Sequence, residues 1–332
     1  MKLVYGLKDG ETVHVSKVTS GLACGCVCPA CGEQLVAKKG SKRDHHFAHR
    51  GGKNCEYGYQ TSLHLAAKEI ISRAKKFVIP QLLLKFPNPR KLPEQISPSR
   101  EIPIDDVKLE QRFGDVIPDI VLISGGKELF VEIFVTHKID DIKIAKIKKS
   151  NISTIEIDLS AKREMLSEEE LSEIVLGDSE LKVWKYNACE QEKLSKFYKV
   201  SEERKVISDG SRKYVTDCPL AAWKFKNSPR VEYHCCLFCE YCISTLDVGE
   251  IRCTGHSRIS ILHDFKVPKE KRIQDSNNRL VAQQVMDMIC PNCGSRLVPG
   301  ADSTVVCENC KNCKFKATID NEMRTVNVDV WG

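Results

Sequence analysis

Two acidic residues lie at equal distances on either side of a Gly125-Gly126 pair. If the two glycines are the central residues of a hairpin turn, Asp119 faces Glu132 across the two strands. Facing Cβ atoms are roughly 4.5–5.5 Å apart, and like charges at that distance destabilise a hairpin unless a cation joins them. Paired carboxylates suit Mg²⁺ or Mn²⁺, which could polarise a phosphate ester and activate a water molecule. The spacing alone also fits an exposed pair on the polar face of an amphipathic hairpin.

The elements that must position this pair are predicted from hydrophobic periodicity and turn residues. They are, in chain order, a helix over 61–76 with Thr61 or Ser62 as its N-cap, strands over 119–123 and 129–135, a short helix over 140–149 and a strand over 154–159. Gln60, His64 and Lys68 share one face of the first helix. The last strand can pair in parallel through a right-handed crossover. An α/β domain with a mixed sheet and flanking helices follows.

The hairpin sequence resembles a nuclease superfamily. Ile117-Pro118-Asp119-Ile120 followed by Val131-Glu132-Ile133-Phe134 is similar to the PD-(D/E)xK nucleases, whose core runs helix, acidic hairpin, helix and strand. The resemblance implies that Asp119 and Glu132 bind a catalytic Mg²⁺ or Mn²⁺. It also implies that the helix carrying His64 borders this metal site, which makes His64 an accessory catalytic residue.

One position departs from the superfamily pattern, which commonly has a lysine two residues after the glutamate. This chain has Phe134 there, so the basic group must come from elsewhere. Lys143, on the second predicted helix, is the preferred substitute for stabilising a transition state or positioning a nucleophile, and His137 and Lys138 are weaker alternatives. A solvated helix face explains Lys143 equally well. Without a basic group at the carboxylates, a fold that binds DNA without cutting it is left.

The chain has 17 cysteines, most of them in Cys-x-x-Cys pairs, and its N-terminus has no apolar run like that of a signal peptide. Two thiolates two residues apart can hold one ion from a tight turn, so structural zinc is favoured over disulfides. The predicted ligands of the N-terminal cluster are Cys28, Cys31, His49 and Cys55, with His46, Cys24 and Cys26 as alternates.

The N-terminal cluster belongs to a longer resemblance that covers roughly residues 20–160. The motifs that resemble the competence-protein CoiA-like family are Cys28-Pro-Ala-Cys31-Gly, Lys38-Lys39-Gly40, His46-Phe-Ala-His49 and His64-Leu-Ala-Ala-Lys68. The family joins a zinc-binding segment to a PD-(D/E)xK nuclease-like domain, and some members are associated with DNA uptake and recombination. Gln60 stands where many relatives are expected to have an acidic residue.

A middle cysteine cluster begins at Cys218 and ends at His256. One Cys-x-x-Cys knuckle and two outlying thiolates would make a four-thiolate zinc site. The predicted ligands are Cys218, Cys236, Cys239 and Cys253, with Cys235, Cys242 and His256 as competitors.

A C-terminal cluster resembles the zinc ribbons of bacterial type IA topoisomerases, which typically hold single-stranded DNA. The shared features are the Cys-x₂-Cys-x₁₃-Cys-x₅-Cys spacing and the Arg296-Leu297-Val298 that follows Gly294. The resemblance implies Cys290, Cys293, Cys307 and Cys313 as zinc ligands, whereas a simple ribbon would use Cys310 in place of Cys313.

Basic side chains near these clusters could contact phosphates. The net charge is +6, which is compatible with a nucleic-acid ligand and does not establish one. The predicted contacts with single- or double-stranded DNA are Lys39, Lys42 and Arg43 beside the N-terminal cluster, and Lys314 and Lys316 beside the ribbon. Solvated loops would explain the same residues.

The predicted organisation follows these motifs. It comprises a zinc-binding segment over 1–58, a nuclease-like domain over 59–162, a charged helical connector over 163–210, a cysteine-rich zinc module over 211–265 and a zinc ribbon over 280–332. We expect a cytoplasmic, metal-dependent DNA endonuclease in DNA processing, recombination or defence, with recombination proteins as partners and no membrane association. The alternative is a catalytically inactive DNA-binding accessory factor.

Overall fold

The computed structural model describes residues 2–41, 43–52, 55, 57–136, 138–162, 166–177, 180–219, 230–246, 250–276, 289–290, 293–299, 304–307, 309–310, 314–320 and 325–330. The chain divides into two compact units. The first comprises Met1–Leu83 and Gln95–Glu190, and the second comprises Leu84–Glu94 and Gln191–Gly332. A short segment that interrupts the first unit in sequence therefore belongs to the second.

Thirteen strands and four α-helices are described up to residue 200. The strands are β1 (Tyr5–Lys8), β2 (Glu11–His14), β3 (Leu35–Lys38), β4 (His46–His49), β5 (Lys76–Ile79), β6 (Leu82–Leu84), β7 (Glu94–Ser97), β8 (Arg100–Pro103), β9 (Asp106–Leu109), β10 (Ile120–Ser124), β11 (Lys127–Phe134), β12 (Thr154–Asp158) and β13 (Lys182–Tyr186). The helices are α1 (Gly58–Arg73), α2 (Asp141–Ser150), α3 (Glu168–Leu176) and α4 (Ala188–Val200), with 3-10 turns at Val15–Lys17 and Leu22–Cys24.

The first unit is built on a five-stranded mixed sheet in the order β13-β12-β11-β10-β9. β11 and β12 pair in parallel, and the other neighbours pair antiparallel. The predicted mixed sheet and its parallel pair are thus confirmed. Consecutive residues are buried in the central strands β10 and β11, and because side chains alternate between the two faces of a strand, both faces of this sheet are covered.

Each face of the sheet packs against different helices. Ile120 and Val131 share a buried cluster with Leu63 and Ala67 of α1 and Leu171 of α3. Val121 and Phe130 point the other way and share a second cluster with Ile147 of α2. Glu132 has the parity of Phe130, so it lies on the face that α2 covers.

The predicted helix over 61–76 begins earlier than expected, at Gly58. Thr61 and Ser62 therefore lie inside the first turns, and their prediction as N-caps is wrong. The start of the helix is set by packing rather than by a cap: a Cβ at Gly58 would lie 3.3 Å from Cys28 Sγ and 3.4 Å from Cys55 Sγ. Glycine allows the helix to begin directly against these two cysteines.

The predicted connector over 163–210 contains more than helix. The pattern over 167–175 predicts a helix, and α3 lies there, with Ser167 capping it through a capping box with Glu170. β13 lies in the same stretch, however, and pairs with β12 at the edge of the sheet. Its sequence is Lys-Val-Trp-Lys-Tyr, in which the two lysines fall on opposite faces, so the apolar and polar residues do not alternate as they do in a typical strand. Similarly, the five prolines within residues 86–103 predict an extended loop or insertion, but this stretch contains β7 and β8.

The second unit is built from antiparallel strands. They are β14 (Glu202–Asp209), β15 (Arg212–Thr216), β16 (Arg230–Glu232), β17 (Cys242–Leu246), β18 (Glu250–Cys253), β19 (Leu297–Pro299), β20 (Thr304–Cys307), β21 (Lys314–Asp320) and β22 (Thr325–Val330), with helix α5 (Tyr233–Leu237) and a 3-10 turn at Leu262–Lys266. Two sheets result, in the orders β16-β15-β14-β18-β17 and β19-β20-β21-β22.

No helix in the described part of the chain is long and apolar enough to cross a membrane.

Candidate metal centres

The hairpin register brings the two predicted acidic residues together. Ser124 pairs with Lys127 and Ile120 pairs with Val131, as the glycine turn predicted. Both turn glycines have positive φ, 54° at Gly125 and 71° at Gly126, which is the backbone that a type I′ turn requires. Asp119 precedes β10 by one residue, so the continued register sets it opposite Glu132.

Lys143 supplies a positive charge to Glu132. Its Nζ lies 2.7 Å from Oε1 and 2.7 Å from Oε2 of a carboxylate that is only 4% exposed. The packing of α2 explains this reach, because Lys143 and the buried Ile147 are four residues apart and share one face of the helix. Asp140 caps α2 by accepting the Lys143 N–H at 2.6 Å. A lysine from the next helix therefore lies beside Glu132, whereas Phe134 occupies the position two residues after it.

Asp119 has two polar neighbours. Its Oδ2 accepts the backbone N–H of Ile133 at 2.9 Å and lies 3.2 Å from Nε2 of His64. His64 therefore reaches the acidic pair from α1, where the helical spacing predicted it. Lys68, one turn later on the same face, is buried and pairs with Glu110 instead.

The pKa values of the two carboxylates are shifted in opposite directions. Burial raises the pKa of Glu132 to about 7, the charge of Asp119 adds to the increase, and Lys143 opposes it. Burial also opposes ionisation of Asp119, but the hydrogen bond and charge of His64 and the Ile133 N–H outweigh it and hold that pKa below its usual range. A cation shared by both carboxylates would favour the ionised form of each.

The acidic pair opens into a cleft of about 450 Å³, here termed the carboxylate cleft, whose lining includes Gln60, His64, Asp119, Glu132, Lys143 and Glu156. Oε1 of Gln60 is buried and accepts no hydrogen bond from the described residues. An unsatisfied buried acceptor is costly unless a ligand or ion completes it. Two carboxylates and an amide oxygen form a donor set that fits Mg²⁺ or Mn²⁺.

Glu156 is a cleft residue that the motifs did not single out. It pairs with Glu132 in the parallel register of β11 and β12 and is 1% exposed. Lys185 Nζ lies 2.6 Å from its Oε1, and the Ile139 N–H donates to its Oε2 at 3.2 Å. The available signal was an acidic residue between two isoleucines at the centre of a strand. Lys138 also lines the cleft, and His137 lies outside the described residues.

The raised pKa of Glu132 predicts how stability depends on pH. The folded protein holds a proton that the unfolded chain releases near pH 4.5, so stability falls as pH rises from about 4.5 to 7. The shift corresponds to a loss on the order of 3 kcal/mol in metal-free protein. Thermal denaturation at pH 5 and pH 8 should show this fall in wild type and a smaller one in Glu132→Gln. Equal pH dependence of both proteins would contradict the prediction.

The N-terminal cluster consists of the four predicted side chains. The ligand atoms of Cys28, Cys31, His49 and Cys55 all lie within 4.8 Å of one another. Sγ of Cys31 lies 3.4 Å from Nε2 of His49, and the Cys28 and Cys55 sulfurs are 4.0 Å apart. Burial raises the pKa of Cys28 to about 11, whereas the Glu33 N–H lowers the pKa of the exposed Cys31. The arrangement could hold zinc.

The alternate ligands of this cluster are used differently. The buried Cys24 and Cys26 donate their thiols to the carbonyl groups of Leu35 and Cys24. Nδ1 of His46 faces the carbonyl oxygen of Asp44 at 2.9 Å.

Residues 18–58 are similar to the N-terminal domain of competence protein CoiA. This CoiA-like segment contains all four side chains of the N-terminal cluster and ends at the first residue of α1. No curated protein and no solved structure matches the chain.

The basic residues of the CoiA-like segment have different surroundings. Nζ of Lys39 donates to the carbonyl groups of Ser16 and Val18 at 2.9 and 2.7 Å, so its charge anchors two backbone segments. Arg43 lines an open cleft of about 780 Å³ beside it. Lys42 lies outside the described residues.

The C-terminal ribbon has a second gathered cluster. The thiols of Cys290, Cys293, Cys307 and Cys310 all lie within 4.8 Å of one another, with 3.4 Å between Cys293 and Cys307. Hydrogen bonds from the hydroxyl and the backbone N–H of Ser295 to the Cys293 sulfur lower the pKa of Cys293 to about 6. The lower pKa favours the thiolate that zinc binds. This cluster uses Cys310, the ligand of a simple ribbon, and Cys313 lies outside the described residues.

The predicted nucleic-acid contacts of the ribbon lie in β21. Lys314 pairs with Val306 and Lys316 pairs with Thr304 across the neighbouring strand β20.

The middle cluster lacks this geometry. Among the described residues, the two groups named above are those whose ligand atoms all lie within 4.8 Å, and Cys218, Cys236, Cys239 and Cys253 do not form a third. Cys236 and Cys242 are instead buried in a core with Val215, Val231 and Ile251, where burial raises the pKa of each thiol. The partly buried Cys218, Cys239 and Cys253 pack against the same core. His256 pairs with Glu202, 3.1 Å away.

Proposed function

We propose that this chain is a metal-dependent DNA endonuclease of CoiA-like type that acts in DNA processing, recombination or defence. Asp119 and Glu132 would hold Mg²⁺ or Mn²⁺ in the carboxylate cleft. The observation that carries the proposal is a facing pair of carboxylates, Glu132 buried and Asp119 half-buried, with Lys143 paired to the first and His64 lying against the second. Groups that serve only structure rarely combine paired acids, opposed pKa shifts and an open cleft.

The order of elements supports a PD-(D/E)xK nuclease-like core. Helix α1, the β10–β11 hairpin, helix α2 and the parallel strand β12 follow one another as that core requires. Lys143, in the first turn of α2, would supply the lysine that the motif lacks at position 134. A nuclease-like fold with a complete set of charged groups is therefore favoured over a binding fold that has lost its chemistry.

The residues of the cleft have distinct proposed roles. A bound Mg²⁺ or Mn²⁺ would polarise the scissile phosphate and lower the pKa of a coordinated water. Lys143 lies beside Glu132 and would stabilise negative charge that develops on the phosphate. His64 fixes the orientation of Asp119 through their 3.2 Å contact. Gln60 would offer its unsatisfied Oε1 to the same ion.

The cysteine clusters have a structural role in this proposal. The N-terminal and ribbon clusters would each bind one Zn²⁺. This zinc would be structural, because thiolate-rich sites are normally closed to substrate. The CoiA-like segment and the topoisomerase-like ribbon favour DNA as the ligand, and recombination proteins are proposed as partners. Arg43, Lys314 and Lys316 remain proposed phosphate contacts.

Cleavage of plasmid and of labelled single-stranded DNA tests the proposal. Purified protein that contains zinc should cut DNA when Mg²⁺ or Mn²⁺ is added and should not cut it with Ca²⁺ or without a divalent ion. DNA that binds the protein and stays intact with every metal would instead support the accessory factor.

Substitution of Lys143 should lower the cleavage rate without weakening metal binding. Lys143→Ala removes the positive charge next to Glu132, and we expect kcat to fall about 100-fold, within the range for the loss of one electrostatic group. Lys143→Arg should restore part of the rate. Lys146→Ala, an exposed lysine of the same helix, is the matched control. If Lys143→Ala and Lys146→Ala cleave equally well, Lys143 has no catalytic role.

A further inference from the structure

Phe238 is an exposed aromatic residue on the cysteine knuckle of the second unit. It follows helix α5 and lies between Cys236 and Cys239. Its side chain is 70% exposed, although Cys236 and Cys242 beside it are buried. A phenylalanine that leaves most of its surface in water contributes little to the core. The position of this ring is therefore better explained by a ligand than by folding.

Arg90 lies over one face of this ring. The guanidinium carbon is 5.4 Å from the ring centroid, which is within cation–π range. Arg90 is itself exposed, so its donors reach solvent. Since the ring remains mostly exposed with Arg90 in place, the opposite ring face is open to solvent.

A buried asparagine fixes Arg90 against the knuckle. Asn88 is 1% exposed, and its Nδ2 donates to the carbonyl groups of Leu237 and Cys242 at 3.2 and 3.3 Å. Its Oδ1 accepts the backbone N–H of Arg90 at 3.1 Å. All polar atoms of the Asn88 side chain thus serve to hold the segment that carries Arg90 beside the turn that carries Phe238.

A second anchor lies on the other side of Arg90. Lys91 donates to the carbonyl group of Glu240, and its Nζ lies 4.8 Å from the centroid of the Phe86 ring. Phe86 in turn packs edge-on against Phe197. The backbone on both sides of Arg90 is held before any ligand arrives, so little conformational entropy is lost on binding.

The chemistry of this pair fits an unpaired nucleotide. An aromatic ring with an open face stacks on any base, and a neighbouring guanidinium pairs with a phosphate or stacks on the next base. The segment 84–94 carries Lys85, Arg90 and Lys91 against one acidic residue, Glu94, whose carboxylate accepts the Leu262 N–H. Bases inside a duplex are already stacked on one another, so the site would select single strands.

We propose that Phe238 and Arg90 form a base-stacking site for single-stranded nucleic acid on the second unit. This site shares no residue with the carboxylate cleft or with the phosphate contacts proposed above. The inference deepens the proposed function, because it rests on nucleic acid being the ligand and names the strand form that the second unit holds.

Tryptophan fluorescence tests the stacking directly. Phe238→Trp keeps a stacking ring and places a reporter at the site. Addition of an oligothymidine strand in buffer without Mg²⁺ or Mn²⁺ should quench the fluorescence of this variant beyond that of wild type. In the same buffer, anisotropy of labelled oligothymidine should show that Phe238→Leu binds roughly 5- to 150-fold more weakly, the range contributed by one stacked base. Leu92→Ala, which removes another exposed apolar side chain of the segment, should bind as wild type does.

The outcomes separate this proposal from the function of the cleft. If wild type and Phe238→Leu bind the strand equally, the stacking site is overturned, while metal-dependent cleavage stands on its own assay. If wild type binds no single strand, the site is overturned, regardless of whether the protein cleaves DNA at the carboxylate cleft. Arg90→Gln should reduce the salt dependence of binding by about one phosphate contact, and Arg90→Lys should preserve it. Unchanged zinc content and melting temperature in each variant exclude misfolding.

Discussion

Glu132→Gln and Asp119→Asn should each reduce Mg²⁺-dependent DNA cleavage by about 10²–10³-fold or more. Each change preserves the shape of the side chain and removes one negative oxygen donor from the proposed metal site. Because Glu132 is buried with its pKa raised to about 7, its removal should not lower the melting temperature of metal-free protein at pH 8. Loss of activity in a protein of unchanged stability would assign the carboxylate to chemistry. Initial cleavage rates over a Mg²⁺ titration, with melting curves on the same samples, provide the measurement.

A neighbouring carboxylate provides the control for this experiment. Glu128 lies on the same strand as Glu132, is exposed and faces Ile123 in the hairpin. Glu128→Gln should cleave DNA at the wild-type rate. Cleavage that survives both Asp119→Asn and Glu132→Gln would contradict the proposed metal site, regardless of the zinc content of the protein.

Cys31→Ser should remove one zinc ion and unfold the CoiA-like segment. The four side chains of the N-terminal cluster come from a turn, from β4 and from the residue three positions before α1, so a shared ion would join three separate parts of the chain. Structural zinc sites stabilise small modules by about 10–16 kcal/mol at neutral pH, which makes loss of the ion and loss of the local fold one event. Zinc content by atomic emission should fall by one equivalent, and limited proteolysis should cut within residues 18–58.

Two other cysteines serve as controls for this prediction. Cys293 is the exposed member of the ribbon cluster, and Cys293→Ser should release one zinc without exposing residues 18–58 to protease. Cys189 is exposed in α4 and belongs to neither gathered cluster, so Cys189→Ser should keep both ions. Full zinc occupancy in Cys31→Ser would contradict the assignment of the N-terminal cluster.

The hairpin could be predicted because its information is local. Two adjacent glycines with positive φ specify the turn, and the turn specifies which residues face each other. The N-terminal cluster could also be chosen from spacing, since Cys28 and Cys31 flank a tight turn. The spacing of apolar residues, alternating in the strands and helical in α1, predicts the bounds of these elements to within a few residues.

The contacts that complete the carboxylate cleft depend on tertiary packing instead. Lys143 reaches Glu132 because Ile147 docks α2 on one face of the sheet, and no sequence pattern states which helix covers which face. Glu156 and Lys185 meet because β13 joins the sheet from a stretch whose charges resemble a connector. Cys310 joins the ribbon cluster through a contact of its backbone N–H with the Cys307 sulfur, which the spacing alone does not specify. Long-range pairing of this kind follows from the whole fold rather than from local preference.

The most direct test of the account is to locate Mn²⁺ in crystals of the protein by anomalous diffraction. We predict one strong manganese peak in the carboxylate cleft, roughly 2.0–2.6 Å from an oxygen of Asp119 and an oxygen of Glu132, which is absent in Glu132→Gln. No peak at the cleft in crystals soaked at millimolar Mn²⁺, or a peak that persists unchanged in Glu132→Gln, would contradict a cation shared by these two carboxylates.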